Sequence, residues 1–300
     1  MIRYARSCAV VAALASLVAF SAPSSAQPFA NAVRTIFLAT GTDSISSIAY
    51  HPGFDQYYSS DIGSTNQPAF VYDSAGSLVH TEDPINIDVR ALYYNPNTDL
   101  IEAVSFNAQS GGVARGLIDA QLDGSGFFTG GTATLLASMP GLASSQTVPA
   151  YDPVRDQLYS RDGSNTVNVV RRSDGALAGT ITLDFATAGV GTVSTYAIAY
   201  VPEEDWLVVA DRDNDTAVAF DINGDYVGTA ALDIDVNVNY GIGYANGQLF
   251  IEDGSRDGYQ GYRITNASSD APTAVPALPP GGILLLVLGM LGLTVRHRAR

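Results

Sequence analysis

The chain has 300 residues, 46% hydrophobic and 15% charged, with 15 basic residues against 30 acidic ones and one cysteine. All 15 basic residues are arginine and five lie in the tails (Arg3, Arg6, Arg296, Arg298, Arg300), so 10 face 30 acids in the central body; nucleic acid is excluded as a partner, because its binding needs a basic surface. The lone cysteine, Cys8, excludes disulfides and thiolate metal sites from the rest of the chain.

In chain order, residues 1–26 read as a secretory signal. Arg3 and Arg6 give the positive start, 8–20 the apolar run, and Ser24-Ser25-Ala26 the small residues of a cleavage point. The run is shorter than the ~20 residues of a membrane span. From 34 to 264 a phrase of the form aromatic-x-Pro recurs: Tyr50-His51-Pro52, Tyr94-Asn95-Pro96, Tyr151-Asp152-Pro153, Tyr200-Val201-Pro202, and Tyr244-Ala245-Asn246 as a degenerate fifth copy. The spacings of 44, 57, 49 and 44 residues fall in or near the period of propeller blades.

The clearest copy, 196–232, shows what each repeat contains. A short strand ends at Pro202, 206–210 is a continuous apolar strand, 216–221 is a third, and Asn223-Gly224 is a strong hairpin signal before a fourth. Second strands are predicted at 57–60, 100–106, 157–160, 206–210 and 248–251, third strands at 69–72, 113–122, 166–171, 216–220 and 260–264. Hairpins are expected at 74–76, 123–124, 173–175 and 223–224, and 107–112 and 125–131 read as enlarged Gly/Ser loops. The fifth unit lacks a fourth strand and 35–39 is a surplus one, so joining them would close a ring and remove exposed sheet edges. The expected fold class is all-β: a β-propeller of four-stranded antiparallel blades, five in number, with a sixth sheet within 116–147 as the alternative. Residues 265–280 are a Pro/Ala/Ser-rich linker, 281–295 a transmembrane-like helix and 296–300 an Arg-rich tail placed in the cytoplasm.

Residues 158–183, LYSRDGSNTVNVVRRSDGALAGTITL, resemble the YVTN-type propeller repeat, and 206–228, WLVVADRDNDTAVAFDINGDYVG, resemble an NHL-type repeat. Val275-Pro276-Ala277-Leu278, followed by the apolar run and by Arg296, Arg298 and Arg300, resembles the tripartite PEP-CTERM/IPTL-CTERM sorting tails, although VPAL stands where VPEP or IPTL is usual. That resemblance implies an exosortase-like sorting protease as partner, transient anchoring in the inner membrane of a Gram-negative type envelope, and a final place at the cell surface or in the extracellular matrix. Propellers host binding proteins and enzymes alike, so the repeat resemblance implies no activity.

Chemistry has few candidates. Asp211, Asp213 and Asp215 place hard oxygen ligands at alternate positions of one turn, as a calcium loop does, but Thr216 stands where an EF-hand has Gly and Ile222 where it has the bidentate Glu; the repeat reading makes them turn residues instead. Glu252, Asp253 and Asp257 occupy the equivalent turn. His51 sits where other copies have Asn95, Asp152 and Val201, and reads as a turn residue; neither G-x-S-x-G nor H-E-x-x-H occurs. The 16 tyrosines read mainly as packing between blades, with a minority at a rim able to stack on sugars. The expected function is therefore an exported, non-catalytic binding protein without cofactor, whose ligand is a surface polysaccharide or protein. The alternative is a secreted metal-dependent lactonase or hydrolase, with calcium as the ion.

Overall fold

Alternation of short apolar runs with Asp/Gly turns folds the chain into antiparallel hairpins in the computed structural model, which describes residues 29–41, 45–108, 114–131, 134–236 and 240–265. The first set is β2 (Ala49–His51), β3 (Gln56–Ser60), β4 (Ala69–Asp73) and β5 (Leu78–Glu82), and the second β6 (Ile87–Asn95), β7 (Leu100–Ala108), β8 (Ala114–Asp119) and β9 (Thr134–Ser138). The third is β10 (Ala150–Asp152), β11 (Gln157–Ser160), β12 (Thr166–Arg171) and β13 (Leu177–Thr182). Each is a four-stranded antiparallel sheet in simple chain order. A four-residue helix, α1 (Phe185–Ala188), follows the third set, where the sequence predicted no helix.

The remaining strands are β14 (Ala199–Val201), β15 (Trp206–Asp211), β16 (Thr216–Asp221), β17 (Tyr226–Ala231), β18 (Ile242–Ala245), β19 (Gln248–Asp253), β20 (Gly258–Thr265) and the N-terminal β1 (Asn31–Ala39). The surplus strand expected at 35–39 lies within β1, which runs antiparallel to β20 from Asn31↔Thr265 to Ala39↔Gly258. The sequence predicted separate sheets, but these two sets form one of eight strands, in the order β14-β15-β16-β17-β1-β20-β19-β18. The join is a single parallel pair, Asn31↔Ala231. Buried Phe29 draws the start of β1 toward β17: its ring meets Trp206 edge-on at 5.7 Å, and a Cβ on Gly228 would meet its backbone carbonyl. Among the described residues of 116–147 the only strands are the end of β8 and β9, so no further sheet lies there.

The outer hairpins share one device. Asp73 accepts from the N–H groups of Ala75 and Ser77, Asp123 from those of Ser125 and Phe127, Asp174 from that of Ala176, and Asp221 from those of Asn223 and Asp225. The carboxylate thus pre-forms the turn. Glycine is required at two of them by position as well as by φ. Gly175 (φ 65) and Gly224 (φ 95) each press against the end of the preceding set's outer strand, where a Cβ would strike the carbonyls of Ser138 and Thr182.

First strands of successive sets also touch: β2 meets β6 and β18, β10 meets β6 and β14, and β14 meets β18. Polar links cross the gaps. Ser47 Oγ donates to the Leu92 carbonyl at 2.8 Å, and Asn246 and Gln248 donate to the Tyr57 hydroxyl at 3.0 and 2.9 Å. Arg161, fully buried, donates to the carbonyls of Ser164, Ser194 and Ala197, and burial pushes its guanidinium down to about 10. Six tyrosines (57, 58, 72, 159, 259 and 262) are among the largest fully buried side chains, as the packing reading expected. The signal at 1–26 and the linker, helix and tail of 266–300, including Val275–Leu278, Arg296, Arg298 and Arg300, lie outside the described residues.

Candidate functional site

The repeated tyrosine is the last residue but one of its strand in every set: Tyr50, Tyr94, Tyr151, Tyr200 and Tyr244 occupy matching positions in β2, β6, β10, β14 and β18. Because these five strands touch in a circuit, five rings spaced 44 to 57 residues apart along the chain come to line one cavity of about 370 Å³. Its remaining wall is mostly apolar, with Ala49, Ala150, Ala199 and Gly243 from the same strands and prolines 149, 153 and 202, and it carries the polar Ser47 and Asn246 and one carboxylate, Glu203. The volume is that of a small-molecule site.

Each ring is held at its hydroxyl. Tyr94 donates to Asp99 at 2.8 Å, Tyr151 to Asp156 at 2.9 Å, Tyr200 to Asp205 at 2.5 Å, and Tyr50 to Asp55. The four aspartates lie five residues after their tyrosines, and each adopts positive φ (50–58°) in the tight turn. The local reason is the Y-x-P-x-x-D phrase, YHPGFD, YNPNTD, YDPVRD and YVPEED, in which the αL residue closes the turn and its carboxylate reaches back to the ring. This aspartate escaped the sequence reading, although the phrase repeats four times. The fifth copy turns at Asn246-Gly247, and Tyr244 bonds instead with Glu203.

The rings also lean on the preceding set. Tyr94 packs on His51 at 4.8 Å, Tyr151 stacks on Tyr93 at 4.4 Å, and Tyr200 tilts against Tyr159 at 5.2 Å. Tyr151 and Tyr200 are buried, whereas Tyr50, Tyr94 and Tyr244 are half-buried. Burial first, and then the carboxylate beside the hydroxyl, pushes Tyr50 up to about 12 and raises Tyr94, Tyr151, Tyr200 and, through Glu203, Tyr244 above the ordinary phenol value. All five are therefore neutral phenols at physiological pH, fit for stacking and hydrogen bonding but not for attack as phenolates.

Two ion-pair systems buttress the collar. Arg155 bridges Asp152 at 2.8 Å and, with both amino nitrogens, Asp205 at 2.8 and 2.9 Å; this pairing, more than the Tyr200 hydroxyl, lowers Asp205 to about 2. Fully buried Glu102 accepts from Tyr93, Asn95, Thr98 and both Nε and an amino nitrogen of Arg172 across the second and third sets.

The acidic turn at Asp211, Asp213 and Asp215 is a junction between loops. Asp211 accepts from the N–H of Gly191 at 2.8 Å and of Asp213 at 3.1 Å, and from the Asn214 amide at 2.8 Å. Asp213 accepts from Thr192 N–H at 2.8 Å and Asp215 from Val236 N–H at 2.9 Å. In the equivalent turn, Asp253 accepts from the N–H and hydroxyl of Ser255. Among the described residues no three His, Cys, Asp or Glu side chains are grouped as metal ligands. His51 accepts from Gly53 N–H at Nδ1 and sits 3.3 Å from the Asp99 carbonyl at Nε2, the bonding of a turn residue. His80 stacks on Phe127 at 4.6 Å.

No protein-family model matches the chain, and no curated protein matches it.

Proposed function

We propose that the chain is an exported five-bladed β-propeller that works as a non-catalytic binding module of the cell surface or extracellular matrix, with its ligand in the tyrosine collar. The circuit of contacts among the five first strands supports the five-blade reading. So does the completion of the β18-β19-β20 set by β1, with the eight-stranded sheet taken as two blades touching at Asn31↔Ala231. Closure of the last blade by the N-terminal strand leaves the ring no free end to unravel.

The observation that carries the binding role is the convergence of one tyrosine from each repeat on a single cavity, with every hydroxyl kept protonated. Aromatic faces and fixed polar edges suit recognition; turnover would need a base or nucleophile active near neutral pH. Delivery rests on the signal at 1–26 and the sorting tail around 275–300, read by an exosortase-like protease at the inner membrane.

Fractionation of producing cells tests both parts. The full chain is expected in the surface and matrix fraction, and a chain ending at residue 265 is expected to miss it. Tyr94→Leu/Tyr244→Leu should reach the surface but wash off the matrix. Equal retention of that double variant would remove the collar as the binding site, and calcium-dependent lactone hydrolysis by the purified chain would replace the binding role with the enzymatic one.

A further inference from the structure

We propose that the tyrosine collar takes an alkylammonium group, a tertiary or quaternary ammonium cation, seated on the ring faces with Glu203 as its counter-charge. This rests on the binding-module reading above and names the chemistry of its ligand.

Three features of the cavity select a cation. The first is aromatic density: Tyr50, Tyr94, Tyr151, Tyr200 and Tyr244 surround one space, and a cation is drawn to the negative face of such rings within about 6 Å of the centroid. The second is what the hydroxyls do. Four of them donate to Asp55, Asp99, Asp156 and Asp205. A phenol whose proton is pulled toward a carboxylate is polarised so that its oxygen and ring become more electron-rich, which strengthens attraction for a positive group.

The third is charge. The lining contains Glu203 and no arginine or histidine, and the four turn aspartates add carboxylates outside the rings. The arginines nearby are held by carboxylates: Arg155 spans Asp152 and Asp205 and also donates to the Tyr200 hydroxyl at 3.1 Å, and Arg172 is clamped on Glu102. An anionic ligand, such as a uronate or a sulfated sugar, would meet Glu203 and the turn carboxylates, with the charge of the nearby Arg155 already paired to Asp152 and Asp205.

A neutral sugar fits less well, because several of the groups that would bond its hydroxyls are already engaged. Asp55 accepts from Tyr50 on one oxygen and from Ser74 on the other; Asp205 accepts from Tyr200 and Arg155 on one and from Arg155 on the other; the Asn246 amide donates to Tyr57. What remains is a set of aromatic side chains, small apolar residues and Glu203, an exposed carboxylate that accepts from the Tyr244 hydroxyl, which matches the greasy, charged surface of an alkylated ammonium. Methyl groups on the nitrogen bury against Ala49, Ala150 and Ala199 while the charge stays between the rings and Glu203.

The probe is choline chloride, titrated calorimetrically into the full chain beside its uncharged carbon isostere, which carries a tert-butyl group in place of trimethylammonium. Choline is expected to bind about 5- to 30-fold more tightly than the isostere, the range that a desolvated cation–π contact supplies. Glu203→Gln should weaken choline about fivefold, with the loss shrinking as salt rises, and leave the isostere unchanged. Tyr94→Leu and Tyr244→Leu should each weaken choline, with folding checked by melting; if they unfold, Glu203→Gln decides alone.

Co-sedimentation with phosphatidylcholine vesicles separates the two sources of this group. Sedimentation assigns it to a lipid headgroup, and choline binding without sedimentation assigns it to a soluble ligand. Equal affinity for choline and the isostere, an unchanged affinity in Glu203→Gln, or no choline heat at tens of millimolar would each overturn the ammonium assignment. The binding-module reading would then stand or fall by the fractionation experiment.

Discussion

Replacing Arg172 with methionine strands a carboxylate that has no route to water. Glu102 is fully buried and accepts five hydrogen bonds, two of them from Arg172, whose own side chain is only 15% exposed. Tyr93, Asn95 and Thr98 would remain as neutral donors, but the compensating charge would be gone. Removing one partner of a buried pair costs roughly 3–5 kcal/mol, because the other charge stays desolvated. For a body of this size that is a fall in Tm of about 6–20 °C, at roughly 2–4 °C per kcal/mol. Urea titration should show the same loss as a lower midpoint with an unchanged slope, since the unfolded surface is the same. Adding Glu102→Gln to Arg172→Met removes the stranded charge and should recover about 2 kcal/mol, a coupling expected of residues in direct contact. A loss below about 1 kcal/mol in the single variant, or strict additivity in the double one, would show that Glu102 is not the desolvated charge described here.

At the Gly224 turn, alanine combines a positive φ of 95° with a Cβ driven into the Thr182 carbonyl, and a loss of about 1–3 kcal/mol is expected in thermal melts. Gly179→Ala, where an added Cβ meets nothing within 4 Å, should stay within about 0.5 kcal/mol and serves as the control. The Arg155 bridge gives a pH signature. Asp205 is held down to about 2 chiefly by Arg155, so its share of stability is present above the ordinary carboxylate value of 3.8 and is lost as pH falls through about 2. Asp205 is 45% exposed, which screens the pair to about 1 kcal/mol or less. Wild type and Arg155→Met should therefore converge in stability on acidification from pH 4 toward 2, and a gap that stays constant across that window would refute the assignment. Asp211→Ala unbinds three donors at a buried turn and should cost about 2–3 kcal/mol. Melting in calcium and in a chelator should give the same Tm, and a calcium-dependent rise abolished by this substitution would return Asp211, Asp213 and Asp215 to the role of ligands.

The strand pattern is local, and local chemistry sufficed to read it. Apolar runs of strand length between Asp/Gly turns define β11 and β12 to the residue and β15, β16 and β19 to within two, because such segments have no other way to satisfy their backbone. The N-terminal strand was legible for the same reason, as an apolar segment without a hairpin partner. The Y-x-P-x-x-D phrase carried the tyrosine–aspartate bond in plain view, since both ends lie within one turn. Nothing local showed that five such tyrosines share a cavity, because that follows from which strands become neighbours around the circuit. Glu102 and Arg172, 70 residues apart, likewise become a pair only when the second and third sets pack together. The acidic turn marks the limit most clearly. Asp211, Asp213 and Asp215 present the alternation that a calcium loop uses, yet beside the local donors Asp213 and Asn214 on Asp211, each of the three also accepts from a distant amide, Gly191, Thr192 or Val236, about 20 residues away. A carboxylate's partner is set by which amide reaches it first in three dimensions, and the order of residues in a turn does not contain that distance.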